Sequence, residues 1–157
     1  MTGIVWNITP STTTVAADSR WWNAVDEVPG GLVGKLYPLP AFNAVLAGGT
    51  WSGMIQRVIS EVTARGFEGP DDLRARLSGI LSKSWEDFRG ELEHHHGLEA
   101  DLCVFWLLTP GRAWLLGNAN DFEPIALPQG LWADPPVNDD GSSQVRETFR
   151  GDKHLVE

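Results

Sequence analysis

The chain has 157 residues and a mass of 17.2 kDa, with 42% hydrophobic residues, a formal net charge of -9 and one cysteine. A chain of this size buries about two thirds of the surface its unfolded form exposes, enough for one self-supporting core, and a lone cysteine excludes an internal disulfide. With 12 Lys and Arg against 21 Asp and Glu and no basic cluster it lacks the phosphate-binding charge of a nucleic-acid module, and its longest apolar run is too short to span a bilayer.

The segment Met1-Thr2-Gly3-Ile4-Val5-Trp6-Asn7 has no basic stretch followed by an apolar one, so no signal peptide is expected and the cytoplasm is the expected location. Gly3 to Thr9 and Thr12 to Ala17 are rich in β-branched and aromatic residues and read as two strands turning at Pro10-Ser11. A two-residue loop sets Thr9 against Thr12 and Asp18 opposite Gly3, beside Thr2, although composition alone leaves the register open to a slip. From Trp21 to Gly34 the chain reads as loop, followed by a brief strand at Lys35-Leu36-Tyr37 before Pro38 and Pro40. Ala44 to Ala47 reads as a buried strand running into the turn Gly48-Gly49.

Two helices are expected next. Trp51, Met54, Ile55, Val58 and Val62 recur at helical spacing, and Leu73, Leu77, Ile80, Leu81, Ser84 and Phe88 repeat the pattern after Pro70. Pro70 suits a first helical position, Asp71 and Asp72 suit the positive end of the helix dipole, and Gly97 after His94-His95-His96 marks the stop. Two strands around Thr109-Pro110-Gly111-Arg112 follow, with Pro and Gly placed as in a type II turn. A short strand is expected from Phe122 to Leu127. Residues 133–157 read as a flexible polar tail, leaving one domain over 2–132.

Cys103 lies within an apolar run and reads as a small buried hydrophobe rather than a reactive thiol. Glu91 and His95 are four apart on one helix face, yet with Glu93, His94, His96 and Glu99 they read as a charged helix end, so no metal or cofactor is expected.

The chemistry begins at Thr2. Initiator methionine is normally removed before a small residue, and a threonine with a free α-amine carries nucleophile and base on one residue. Downstream stand Ala16-Ala17-Asp18-Ser19-Arg20, then Lys35 after a glycine-rich stretch, then Leu46-Ala47-Gly48-Gly49 ahead of a helix. In this ordered set the chain resembles the proteasome β-subunit family and its bacterial ring-protease relatives, over roughly residues 2 to 127. Thr2 to Asp18 is 18−2=16 positions and Thr2 to Gly48 is 48−2=46, both as in the family; Asp18 to Lys35 is 35−18=17, one more than usual.

The resemblance implies an α+β fold of the N-terminal-nucleophile hydrolase type, an αββα-like sandwich shortened at its C-terminal side, with antiparallel sheets and a helix pair on one face. It implies a catalytic set in which Thr2 Oγ attacks a carbonyl, its own amine takes the proton, Lys35 lowers the amine pKa, Asp18 holds Lys35, and the Gly48 N–H stabilises the oxyanion. Arg20, Trp22 and Leu46 fall at substrate-binding positions, Leu46 suggesting an apolar substrate side chain. Each also has an ordinary structural reading: Asp18 to Arg20 as a strand-end ion pair, Lys35 as a solvated lysine, Gly48-Gly49 as a turn needing positive φ. The sequence departs from the family pattern in carrying Gln129 where the family has a supporting serine, and Gly3 after the nucleophile. The implied function is a threonine-type peptide or amide hydrolase acting on a peptide or protein substrate and assembled as a homo-oligomer, with closure into a ring and the need for a partner subunit left open. The alternative is an inactive scaffold or assembly protein of the same fold.

Overall fold

The structure is a computed structural model that describes residues 4–17, 20–23, 28–32, 34–97, 99–100 and 102–134, with backbone alone at 20–23, 28–32 and 133–134. Thr2, Asp18 and 135–157 therefore lie outside the described residues.

Strands β1 (Ile4–Ile8) and β2 (Thr13–Ala17) pair antiparallel with Ile8 opposite Thr13 and Ile4 opposite Ala17. This is the register of a two-residue loop, closed by the Thr9 N–H donating to the Thr12 carbonyl at 2.9 Å. On its other edge β1 pairs with β10 (Gly130–Asp134), giving an outer sheet of order β10-β1-β2. Strand β10 was not anticipated, and the expected tail boundary at Trp132/Ala133 falls inside it.

The stretch expected to be loop holds β3 (Arg20–Asn23) and β4 (Val28–Leu32), an antiparallel pair with an irregularity between Trp21 and Trp22. Proline and glycine do not exclude a two-stranded ladder, because among the described residues each strand has a ladder partner on one side only.

The central sheet has the order β5-β6-β7-β8-β9: β5 (Leu36–Leu39), β6 (Ala44–Gly48), β7 (Val104–Thr109), β8 (Arg112–Gly117) and β9 (Ile125–Leu127). Pro38 sits within β5, which is tolerated because β5 is an edge strand. Phe122 is not part of β9: it adopts φ 58° in the preceding turn and buries its ring there.

Between β6 and β7 run α1 (Ser52–Ala64) and α2 (Pro70–His96). Pro70 opens α2, and Gly97 closes it at φ 61° with its N–H donating to the Glu93 carbonyl at 2.9 Å.

Alternation along the strands of the central sheet builds two cores. Leu46, Phe105, Leu107, Trp114 and Leu116 face the helices and pack with Met54, Ile55, Val58, Val62, Leu73, Leu77 and Leu81. Their neighbours Val45, Ala47, Trp106, Leu108 and Ala113 face the outer sheet and pack with Ile4, Trp6 and Ile8. A strand buried on both faces loses the polar alternation of a half-exposed one, which explains the near-continuous apolar run of β7. The layers are thus helix pair, central sheet, outer sheet, an α+β sandwich with antiparallel sheets and helices on one face.

Candidate active site

Two turns fix the relative direction of the sheets. A Cβ at Gly111, in the β7–β8 turn, would lie 2.5 Å from the Pro10 carbonyl oxygen of the β1–β2 turn. The Thr13 hydroxyl donates to the Thr109 carbonyl at 2.7 Å. Both turns therefore occupy one end of the sandwich. The start of β1 and the end of β2 point to the opposite end, as does the end of β6, where Gly48 pairs with Phe105 at the start of β7. Thr2 is two residues before β1, and Asp18 directly follows Ala17.

Lys35 and Gly48 meet at this same end. Leu36 is opposite Ala47, and one position further the Gly48 N–H donates to the Lys35 carbonyl at 3.3 Å. Lys35 is only 5% exposed, not the solvated lysine of its ordinary reading. Lysine is seldom buried to this degree outside ion-paired or functional settings.

Neither Gly48 nor Gly49 has the positive φ that a simple turn requires; among the described residues the glycines that do are Gly97, Gly111 and Gly130. Their need is for space instead. A Cβ on Gly48 would lie 2.9 Å from Ile55, and one on Gly49 would lie 3.0 Å from the Trp106 ring. The absence of a side chain at Gly48 lets α1 pack tight against the central sheet, and its absence at Gly49 leaves room for the Trp106 ring.

The loop into α1 is pinned from β7 and the segment before it. The Gly49 N–H donates to the Val104 carbonyl at 2.8 Å and the Thr50 hydroxyl to the Leu102 carbonyl at 3.4 Å. The segment before β7 is held in turn by Asn118, whose Oδ1 accepts the Cys103 N–H at 2.9 Å and whose N–H donates to the Cys103 carbonyl at 3.0 Å. Thr50 and Asn118 were not singled out in sequence, since isolated Thr and Asn residues carry no periodic signal. Cys103 is buried, and desolvation pushes its thiol up to about 12, against a smaller opposing effect of the Thr50 hydrogen bond, so it is a poor nucleophile.

The substrate-binding candidates divide. Arg20 and Trp22 lie on β3, whose second edge has no strand partner among the described residues; their side chains lie outside the description. Leu46 is fully buried in the helix-side core, opposite Tyr37, and does not line an open pocket. Among the described residues no group of three His, Cys, Asp or Glu side chains is placed to hold a metal, and Glu91 is engaged by Arg57 at 2.6 Å. No helix among them is long and apolar enough to cross a membrane.

No protein-family model matches the sequence and no curated protein matches it. Solved structures do match its fold. HslV from Trypanosoma brucei is 10% identical with a TM-score of 0.54, over 94% of this chain and 78% of that one. Thiobacillus denitrificans BPH in complex with epoxomicin is 12% identical with a TM-score of 0.54, over 96% and 81%. Anbu in its helical assembly from Pseudomonas aeruginosa is 13% identical with a TM-score of 0.61, over 95% of this chain but only 65% of its own. The fold is that of the proteasome β-subunit-like N-terminal-nucleophile hydrolases.

Proposed function

We propose that the chain is a threonine-type N-terminal-nucleophile hydrolase of peptide or amide bonds, with Thr2 exposed by removal of Met1. The observation that carries this reading is the gathering of a buried Lys35, Gly48, the start of β1 and the end of β2 at one end of the sandwich. In this reading Thr2 Oγ attacks the carbonyl carbon while the α-amine takes its proton. The C–N bond then breaks, the protonated amine product leaves, and water hydrolyses the resulting ester to restore Thr2. Lys35 favours the neutral amine by its charge, and Asp18 balances Lys35. The Gly48 N–H serves the oxyanion once it leaves the Lys35 carbonyl, an interaction of about 3 kcal/mol in the transition state. The open edge of β3 offers backbone pairing to an extended substrate at Arg20 and Trp22. Leu46 contributes to an apolar pocket only in a conformation that opens the core over it.

The competing reading is an inactive scaffold. It is favoured by the Gly48 N–H already engaged with the Lys35 carbonyl and by the enclosed Leu46. Intact-mass measurement of the native protein separates the two. The hydrolase reading expects Met1 absent and turnover of an apolar fluorogenic peptide that Thr2→Ala abolishes; retained Met1, or equal turnover in the variant, removes Thr2 as the nucleophile. The cytoplasm is the proposed site of action.

A further inference from the structure

Three polar side chains are buried to the level of the core among the described residues: Lys35, Ser84 and Thr109. Lys35 belongs to the candidate active site, and the Thr109 hydroxyl donates to the Arg112 carbonyl at 3.3 Å. Ser84 differs from both. It is 4% exposed, stands on the apolar stripe of α2, and its hydroxyl has no hydrogen-bond partner among the described residues. The hydroxyl is not sealed from solvent, unlike the non-hydrogen-bonded Trp6 Nε1 and Arg74 Nε, so it is open to a guest in the space beside it.

Ser84 opens onto a hollow of about 160 Å³ in the seam between α1 and α2, walled by Arg57 and Glu61 from α1, by Arg65 just after it, and by Ile80, Lys83 and Asp87 from α2. That space is several water volumes, or one small organic ion. The walls are not equally available to a guest. Arg57 is held by Glu91 at 2.6 Å and Asp87 at 4.0 Å, and Arg65 by Glu61 at 2.7 Å. Lys83 makes no ion pair with any described residue and is exposed at the rim. The seam therefore offers one uncommitted ammonium, one uncommitted hydroxyl and the apolar wall of Ile80.

We propose that this seam binds a small aliphatic monocarboxylate. One carboxylate oxygen accepts from the Ser84 hydroxyl, the other faces the Lys83 ammonium, and the alkyl group packs on Ile80. A single negative charge suits the site because Glu61 and Asp87 in the same walls repel a second one. The walls of the seam include neither Lys35 nor Gly48, so its occupancy does not depend on the chemistry of Thr2.

The test is a titration of the full-length, ¹⁵N-labelled protein with sodium propionate at constant ionic strength, against sodium chloride as the control. Saturable amide shifts at Ile80, Lys83 and Ser84 are expected, with affinity reduced about 5-fold or more in both Ser84→Ala and Lys83→Gln. Inorganic phosphate, largely a dianion at pH 7.5, is expected to bind more weakly than propionate. Shifts that match the chloride control mean that the hollow holds only water and overturn the proposal. Unchanged affinity in both variants overturns it too, as does tighter binding of phosphate. Lys83 is exposed, so Lys83→Gln leaves the packing intact and keeps the test decisive should Ser84→Ala disturb the seam.

Discussion

At Gly48 a single hydrogen atom in place of a methyl group determines how closely a helix approaches a sheet. Ile55 and Phe105 stand 2.9 Å and 3.2 Å from where a Cβ would be, so Gly48→Ala forces a shift in a close-packed core. The expected cost is about 1–3 kcal/mol, read as a lower urea midpoint with an unchanged slope. The glycine pair was conspicuous in the sequence as a turn, but its reason, the approach of Ile55 from the following helix and of Trp106 from a distant strand, appears only once the chain is folded. Leu46 shows the same limit: its position on a strand was legible, whereas the face it takes depended on which layer covered that face. Cys103 was legible as a core residue. Its ordinary ionisation lies near 9.0, while burial holds the folded thiol up to about 12. Between those values the folded state keeps a proton that the unfolded state has lost, so stability falls as pH rises, by about 1.4 kcal/mol per pH unit from this group. Urea melts from pH 8 to 10 are expected to show a steeper alkaline loss in the parent than in Cys103→Val. Tyr37, also raised by burial, contributes with the same sign in both proteins.

Among the elements, α1 and α2 were the most legible, because a 3.6-residue period repeated over several turns leaves little room for another structure. Pro70 and Gly97 marked the ends of α2 by their backbone requirements alone. The strands divide by how their pairing is specified. β1, β2, β7 and β8 join through short turns, and their register follows from loop length. β3, β4 and β10 carried no comparable signal: glycine and proline masked the first pair, and β10 forms because a strand 130−8=122 residues earlier offers it an edge. The β7–β8 turn combines two constraints at Gly111, a φ of 74° and a Cβ position 2.5 Å from the Pro10 carbonyl oxygen. Gly111→Ala is therefore expected to lose at least about 2 kcal/mol in chemical denaturation, more than left-handed strain alone would cost.

For the whole molecule, the central sheet is covered on one face by helices and on the other by the outer sheet. Sequence order gave the α+β class, and its likeness to the family gave the arrangement. Apolar side chains remain at the rim, with Ile125 48% exposed on β9 and Trp132 40% exposed on β10, both edge strands. Together with the homo-oligomer that the family resemblance implies, these edges give a measurable expectation: light scattering at micromolar concentration returns a mass above 17.2 kDa, and a strictly monomeric mass rejects it. The ladder that sets Ile4 opposite Asp134 has a further consequence during synthesis. β1 leaves the ribosome early and pairs with β2, but its second edge waits 134−4=130 residues for β10, roughly 6–26 s at about 5–20 residues per second. Throughout that interval a nascent chain carrying Ile4, Trp6 and Ile8 presents a half-finished sheet to its surroundings, open to chaperones until β10 emerges.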